Sequence, residues 1–235
     1  MARAVLFDLD DTLFDHAHCA RTALDVVRGR HAGFSAISLD DLNRSHSTIL
    51  ETLHGDVAVG RVSLDQARAE RFRRLFQTAG IDADEALSSA TASAYRDAYL
   101  TARRPVDGAH ALLTALHSHG RIAIVTNNLL NEQREKLRHC GLDGHIDALV
   151  ASEEVGVSKP DPRIFEVALE RIGARPEEAV MVGDSWENDI LGAQAAGIRA
   201  VWFSPSEMES PDPRVPILRA LVPVEMALRV IGGRS

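Results

Sequence analysis

Cysteine is scarce. The two present, Cys19 and Cys140, lie far apart, which excludes a disulfide framework and a paired-cysteine metal site and leaves two plain thiols. No apolar run approaches the ~18 residues of a membrane span. The opening MARAVLFDLD reaches aspartate after too short an apolar stretch for a secretory leader, so a cytoplasmic protein is expected. Positive charge is short as well. A formal net charge of −8 at pH 7 argues against a nucleic-acid polymer as partner, because that mode of binding needs a basic face. A small anionic ligand stays compatible if cations, helix N-termini and backbone N–H groups build a local positive site. No internal repeat or low-complexity segment stands out.

What is present is an ordinary globular balance, 45% apolar and 26% charged, in 235 residues, enough for one large domain or a core with a smaller insert. Residues 3–9 read as a buried strand, apolar up to Asp8. The same grammar recurs at Arg121–Thr126, Ala148–Ser152, Ala179–Asp184 and Ile198–Phe203. Helical patterns fall between and around them, at Gly108–His119, Asn131–His139, Arg163–Ile172 and Glu187–Ala196. Strands alternating with helices predict an α/β fold, a Rossmann-like parallel sheet with helices on both faces. The long gap after the first strand has no strand run, and Leu64, Ala67, Phe72, Leu75 and Phe76 recur at helical spacing. That gap predicts an inserted helical bundle, residues 16–101, between core segments 1–15 and 102–235, with Pro105 near the hinge. The Pro- and Ser-rich stretch Ser204–Pro216 reads as irregular, with a final helix near Val224–Ile231.

The polar residues gather at the strand ends. Asp8 and Asp10 end the first, Thr126-Asn127-Asn128 the second, Lys159-Pro160 follows the third by a loop, and Gly183-Asp184-Ser185 ends the fourth. Ligands of open α/β sheets bind outside the carboxyl ends of strands, where the strand order reverses. On an extended strand Asp8 and Asp10 would point to one side, with Cα atoms roughly 6–7 Å apart. At an effective dielectric of ~20 two such charges repel by about 3 kcal/mol, which invites a cation or a proton. Asp184 could add a third hard oxygen ligand suited to Mg²⁺, and Asp189, one helical turn on, could orient its waters. Taken singly, each piece has a plainer explanation: a turn for Asp-x-Asp, a helix N-cap for Thr126-Asn127, a solvated lysine, a common Gly-Asp-Ser loop. The conjunction of four clusters at one end of successive strands favours a site.

DLDDTL, VTNN, SKPDPRIF and MVGDSWENDI match in order and spacing the four motifs of the haloacid dehalogenase-like superfamily, and the sequence resembles its aspartate-nucleophile phosphatases with a helical cap. The resemblance implies that Asp8 is the nucleophile and Asp10 the general acid and base. It further implies that Thr126, the Asn127 backbone and Lys159 bind the phosphoryl oxygens, and that Asp8, Asp184 and the Asp10 carbonyl hold Mg²⁺ with Asp189 behind them. Asp10 sets the chain apart from the dehalogenase branch, in which no leaving alkoxide needs a proton. The stretch from Ser152 to Gly197 resembles the pyrimidine 5′-nucleotidases and acylneuraminate-9-phosphate phosphatases, which implies a small soluble phosphometabolite, first among them nucleoside 5′-monophosphates. Sugar phosphates, acylneuraminate 9-phosphate, phosphoglycolate and a phosphomutase reaction are the alternatives, and a catalytically silent metal- or phosphate-binding module is the non-enzymatic one. Asn128 stands where this branch usually has glycine, so a left-handed conformation is expected to be tolerated there. Three other features read as structural: the pairs His16/His18 and His117/His119 lack metal-ligand spacing, Arg61, Arg68, Arg71, Arg73 and Arg74 form a solvated helix face, and Trp186 packs.

Overall fold

The computed structural model describes residues 3–58 and 61–233. Six strands form one sheet: β1 (Ala4–Phe7), β2 (Arg121–Thr126), β3 (Ala148–Ala151), β4 (Ala179–Gly183), β5 (Arg199–Phe203) and β6 (Ile217–Leu218). All pair in parallel, in the order β3-β2-β1-β4-β5-β6. The central strands are buried from end to end, the mark of a sheet covered on both faces. β1 lies between β2 and β4, with Phe7 opposite Ile124 and Val182, so the strand order reverses beside it. The sixth strand was not expected. It is two residues long and joins β5 through the Trp202 amide, which donates to the Pro216 carbonyl in the proline-rich tail.

The chain divides into two compact units, Met1–Asp15 with Arg104–Ser235, and His16–Arg103. The second unit is helical: α1 (His16–Arg30), α2 (Leu39–Ala58), α3 (Leu64–Thr78) and α4 (Glu85–Thr101). Its interior is Leu24, Val27, Leu42, Phe72 and Leu75, with Phe34 and Phe76 stacked at 4.9 Å. A capping box starts α3, Ser63 Oγ accepting from the Gln66 amide and Gln66 Oε1 from the Ser63 amide. The basic stretch is not one solvated face. Arg71 lies over the rings of Phe72 and Tyr95, while Arg73 and Arg74 share Glu70, whose carboxyl their hydrogen bonds pull down to about 2.

In the sheet-bearing unit the helices are α5 (Ala109–His117), α6 (Leu130–His139), α7 (Ser152–Val155), α8 (Pro162–Ile172), α9 (Gly192–Ala195) and α10 (Val224–Ile231). Ile164, Phe165 and Ala168 of α8 pack with Leu6, Val125 and Met181 of the sheet. The stretch Trp186–Leu191 is a π-helix that precedes α9, where an ordinary helix was expected. No described helix is long and apolar enough to cross a membrane.

Candidate active site

β1 stops at Phe7, and its register is continued by the Asp8 amide, which donates to the Val182 carbonyl at 3.0 Å. Asp8 therefore emerges at the carboxyl end of the sheet, at the point where the strand order reverses. The chain then turns sharply, the Leu13 and Phe14 amides donating to the Leu9 carbonyl, with Asp11 left-handed at φ 59°. The turn follows Asp10, and what the sequence did not indicate is that the two aspartates are held by different cations, Asp8 by Lys159 and Asp10 by Lys136. Their carboxylates go to different partners on different elements.

Asp8 shares the Lys159 ammonium with Asp189: Nζ lies 2.6 Å from Asp8 Oδ1 and 2.6 Å from Asp189 Oδ1. All three side chains are buried, and Lys159 at 3% exposure is no surface lysine. Its loop is held by Asn127, whose Nδ2 donates to the Lys159 carbonyl (2.9 Å) and whose Oδ1 accepts from the Lys159 amide (2.6 Å). Asp189 is held at its other oxygen by the Ser185 amide (2.9 Å). Gly183 makes this possible, since a Cβ there would meet Asp189 Oδ2 at 2.3 Å. Asp184 is fixed through its carbonyl, which accepts from Trp202 Nε1 at 2.7 Å, while Trp186 packs edge-on against Trp202.

Carboxylate oxygens of Asp8, Asp184 and Asp189 lie within 4.8 Å of one another. Burial raises the Asp8 carboxyl well above its usual range, against the pull of Lys159, and the charges of Asp189, Asp184 and Asp10 add to it in that order. Asp10 is thus the smallest of the crowding charges, where the sequence suggested it was the main one. Asp184 is pushed up to about 7 by burial and then by Asp189 and Asp11. Lys159 moves up as well, because Asp189 and Asp8 outweigh the burial that would lower it. With all three carboxylates ionised, one ammonium leaves an excess of two negative charges, and the raised proton affinities of Asp8 and Asp184 mark a site that takes up either protons or a divalent cation with oxygen preference. The donor set fits Mg²⁺. Asp189 has both oxygens engaged by Lys159 and the Ser185 amide, so Asp8 and Asp184 are the carboxylates better disposed to ligate.

Asp10 has a cation of its own. Lys136 Nζ lies 2.5 Å from Asp10 Oδ1, and Asp10 Oδ2 accepts from Gln133 Nε2 at 2.8 Å and Asn128 Nδ2 at 3.3 Å. Gln133 Nε2 also donates to Thr126 Oγ1 at 2.8 Å, linking the end of β2 to Asp10. Neither Thr126 nor Asn127 caps a helix, since α6 begins after Leu129. Asn128 is not left-handed, Asp11 being the one non-glycine residue with positive φ among those described; its Oδ1 instead accepts from the Leu129 amide. The structure thus brings Asp8, Lys159, Asp184 and Asp189 into one cluster and Asp10, Thr126, Lys136 and Gln133 into an adjoining one. Lys136 and Gln133 were missed from the sequence. A signal existed for the first: Lys136 and Lys159 are the only two lysines among 26 Lys and Arg residues.

The haloacid dehalogenase-like hydrolase family pattern matches residues 2–197. Phosphoserine phosphatase of Thermus thermophilus is 34% identical over 246 residues, covering 92% of this chain and 96% of that protein. Pyrimidine 5′-nucleotidase YjjG of Escherichia coli is 31% identical, covering 88% of each. Among solved structures, the magnesium-bound HAD-hydrolase YfnB of Bacillus subtilis superposes with a TM-score of 0.77 at 28% identity, over 98% of this chain and 99% of that one.

Proposed function

The chain belongs to the haloacid dehalogenase-like hydrolases and is an enzyme of that family, and we propose that it is a cytoplasmic, Mg²⁺-dependent phosphatase of small phosphate monoesters. The observation that carries this reading is the buried cluster at the reversal of strand order, with three carboxylates, one lysine and an excess charge of the size a divalent cation neutralises. In this reading an Asp8 oxygen attacks phosphorus in line. The bond from phosphorus to the leaving oxygen breaks as Asp10 gives that oxygen its proton, releasing an alcohol and leaving an aspartyl phosphate. Water then attacks the phosphorus and passes a proton to Asp10. The bond between Asp8 and phosphorus breaks, giving inorganic phosphate and restoring both carboxyl groups. Thr126, the Asn127 backbone and Lys159 hold the phosphoryl oxygens. Held by Asp8, Asp184 and the Asp10 carbonyl, Mg²⁺ would supply charge neutralisation on the transferring group, with Asp189 supporting that site and Lys159. The helical unit His16–Arg103 serves as a cap that selects the leaving group and excludes water.

For the substrate, nucleoside 5′-monophosphates are proposed first, supported by the acidic and lysine motif stretches and by the similarity to YjjG. The similarity to a phosphoserine phosphatase supports a second reading, a phosphorylated small acid or sugar. Phosphate release with Mg²⁺ from a panel of nucleoside monophosphates, phosphoserine, phosphoglycolate, acylneuraminate 9-phosphate and sugar phosphates separates them. The expected result is the highest kcat/KM on a nucleotide, by about tenfold or 1.4 kcal/mol. A comparable preference for another ester replaces the first reading by the second, and no release from any monoester removes both.

A further inference from the structure

Asp10 is gripped from one side by one helix. Gln133 and Lys136 are three residues apart on α6, so their side chains share a face, and both are buried, Gln133 at 0% exposure and Lys136 at 7%. Between them they hold both oxygens of the Asp10 carboxyl, and Gln133 ties the same carboxyl to Thr126 Oγ1. The Lys136 ammonium also lies over the Phe14 ring, 5.0 Å from its centroid, a second contact that restrains it.

Stability does not account for this arrangement. A buried ion pair recovers little more than its own desolvation cost, and apolar residues of similar volume often stabilise as well or better. The chain uses arginine at every other basic position, yet here it has one of its two lysines, a compact ammonium that meets a single carboxylate oxygen. Misplacing a proton donor by about 1 Å can cost on the order of 100-fold in rate. We propose that Lys136 and Gln133 are positioning residues for Asp10, orienting its carboxyl on the same scaffold as Thr126 so that it meets the leaving oxygen of a bound ester. The inference rests on the acid–base assignment of Asp10 made above and adds to it a dependence on α6.

Delivery of a proton matters for a poor leaving group, such as the alkoxide of an alkyl phosphate, and little for a good one such as 4-nitrophenolate. Pre-steady-state release of the leaving group isolates that step from hydrolysis of the aspartyl phosphate, which needs Asp10 for both esters. In Lys136→Met and Gln133→Leu, release from an alkyl phosphate should slow by about 100-fold, the lower range of a general-acid contribution. Release from 4-nitrophenyl phosphate should change little, KM should stay near its original value for both, and Lys136→Arg should recover part of the alkyl rate. Gln133→Leu leaves the ion pair intact and decides the matter should Lys136→Met fail to fold. Equal slowing of both esters, or a rise in KM alone, overturns the positioning role. Asp8→Asn, run in parallel, separates that failure from failure of the mechanism itself: a variant without Asp8 that still turns over removes the mechanism and this inference with it.

Discussion

Asp8→Asn is expected to lose phosphate release by at least about 10⁴-fold, the scale on which removal of a catalytic nucleophile acts. The same substitution is expected to leave the thermal midpoint unchanged or raise it. Asp8 is held against three other carboxylates, and burial raises its proton affinity. A carboxyl whose affinity is raised on folding destabilises the fold as pH rises past its unfolded value, and that penalty is present at neutral pH. Asparagine removes the charge, while Lys159 keeps Asp189 at 2.6 Å. Activity assays beside thermal melts at neutral pH check both halves. Loss of activity together with a large loss of stability would mean that Asp8 has a mainly structural task.

Lys159→Met is expected to do the opposite, harming stability and activity together. Its ammonium, 3% exposed, is the cation that Asp8 and Asp189 share. Leaving a buried charge without its partner costs about 3–5 kcal/mol. Mg²⁺ should restore part of the loss by binding the folded state, by about 2.7 kcal/mol at a concentration 100 times its Kd. Turnover should fall by about 100- to 1,000-fold, as when one donor to a developing negative charge is removed. Melting curves with and without Mg²⁺ test this directly. If the variant melts like the unaltered chain in the absence of metal, the charge accounting of the cluster is wrong.

Much of the scaffold was legible because buried parallel strands leave a plain signature. Arg121–Thr126 and Val224–Ile231 have the limits their patterns indicate, and the other expected strands differ by a residue or two at their ends. Features that depend on tertiary contact were not legible. β6 is two residues in a proline-rich tail and has no alternation to read. The π-helix at Trp186–Leu191 coincides with the pull of the Ser185 amide on the Asp189 carboxylate, which no periodicity reports. The acidic residues and Lys159 could be read as a group because each follows its own strand. Their division of labour could not, since it turns on Asp10 meeting Lys136 and Gln133 of α6 while Asp8 meets Lys159, pairings that only the tertiary fold makes. Gln133 gave no sequence signal beyond its spacing from Lys136, and only its bridge from Thr126 to Asp10 reveals it.

The central claim is a covalent phosphoryl group on Asp8 whose removal depends on Asp10. Asp10→Asn should still be phosphorylated by 4-nitrophenyl phosphate, which needs little help in leaving, and should then hydrolyse the intermediate slowly. Acid quenching during turnover followed by peptide mass analysis should find one added phosphoryl group on the Asp8 residue of the peptide that includes Phe7 to Asp15. Continued turnover with no phosphorylated carboxylate, or a phosphoryl group found on any other residue, contradicts the account.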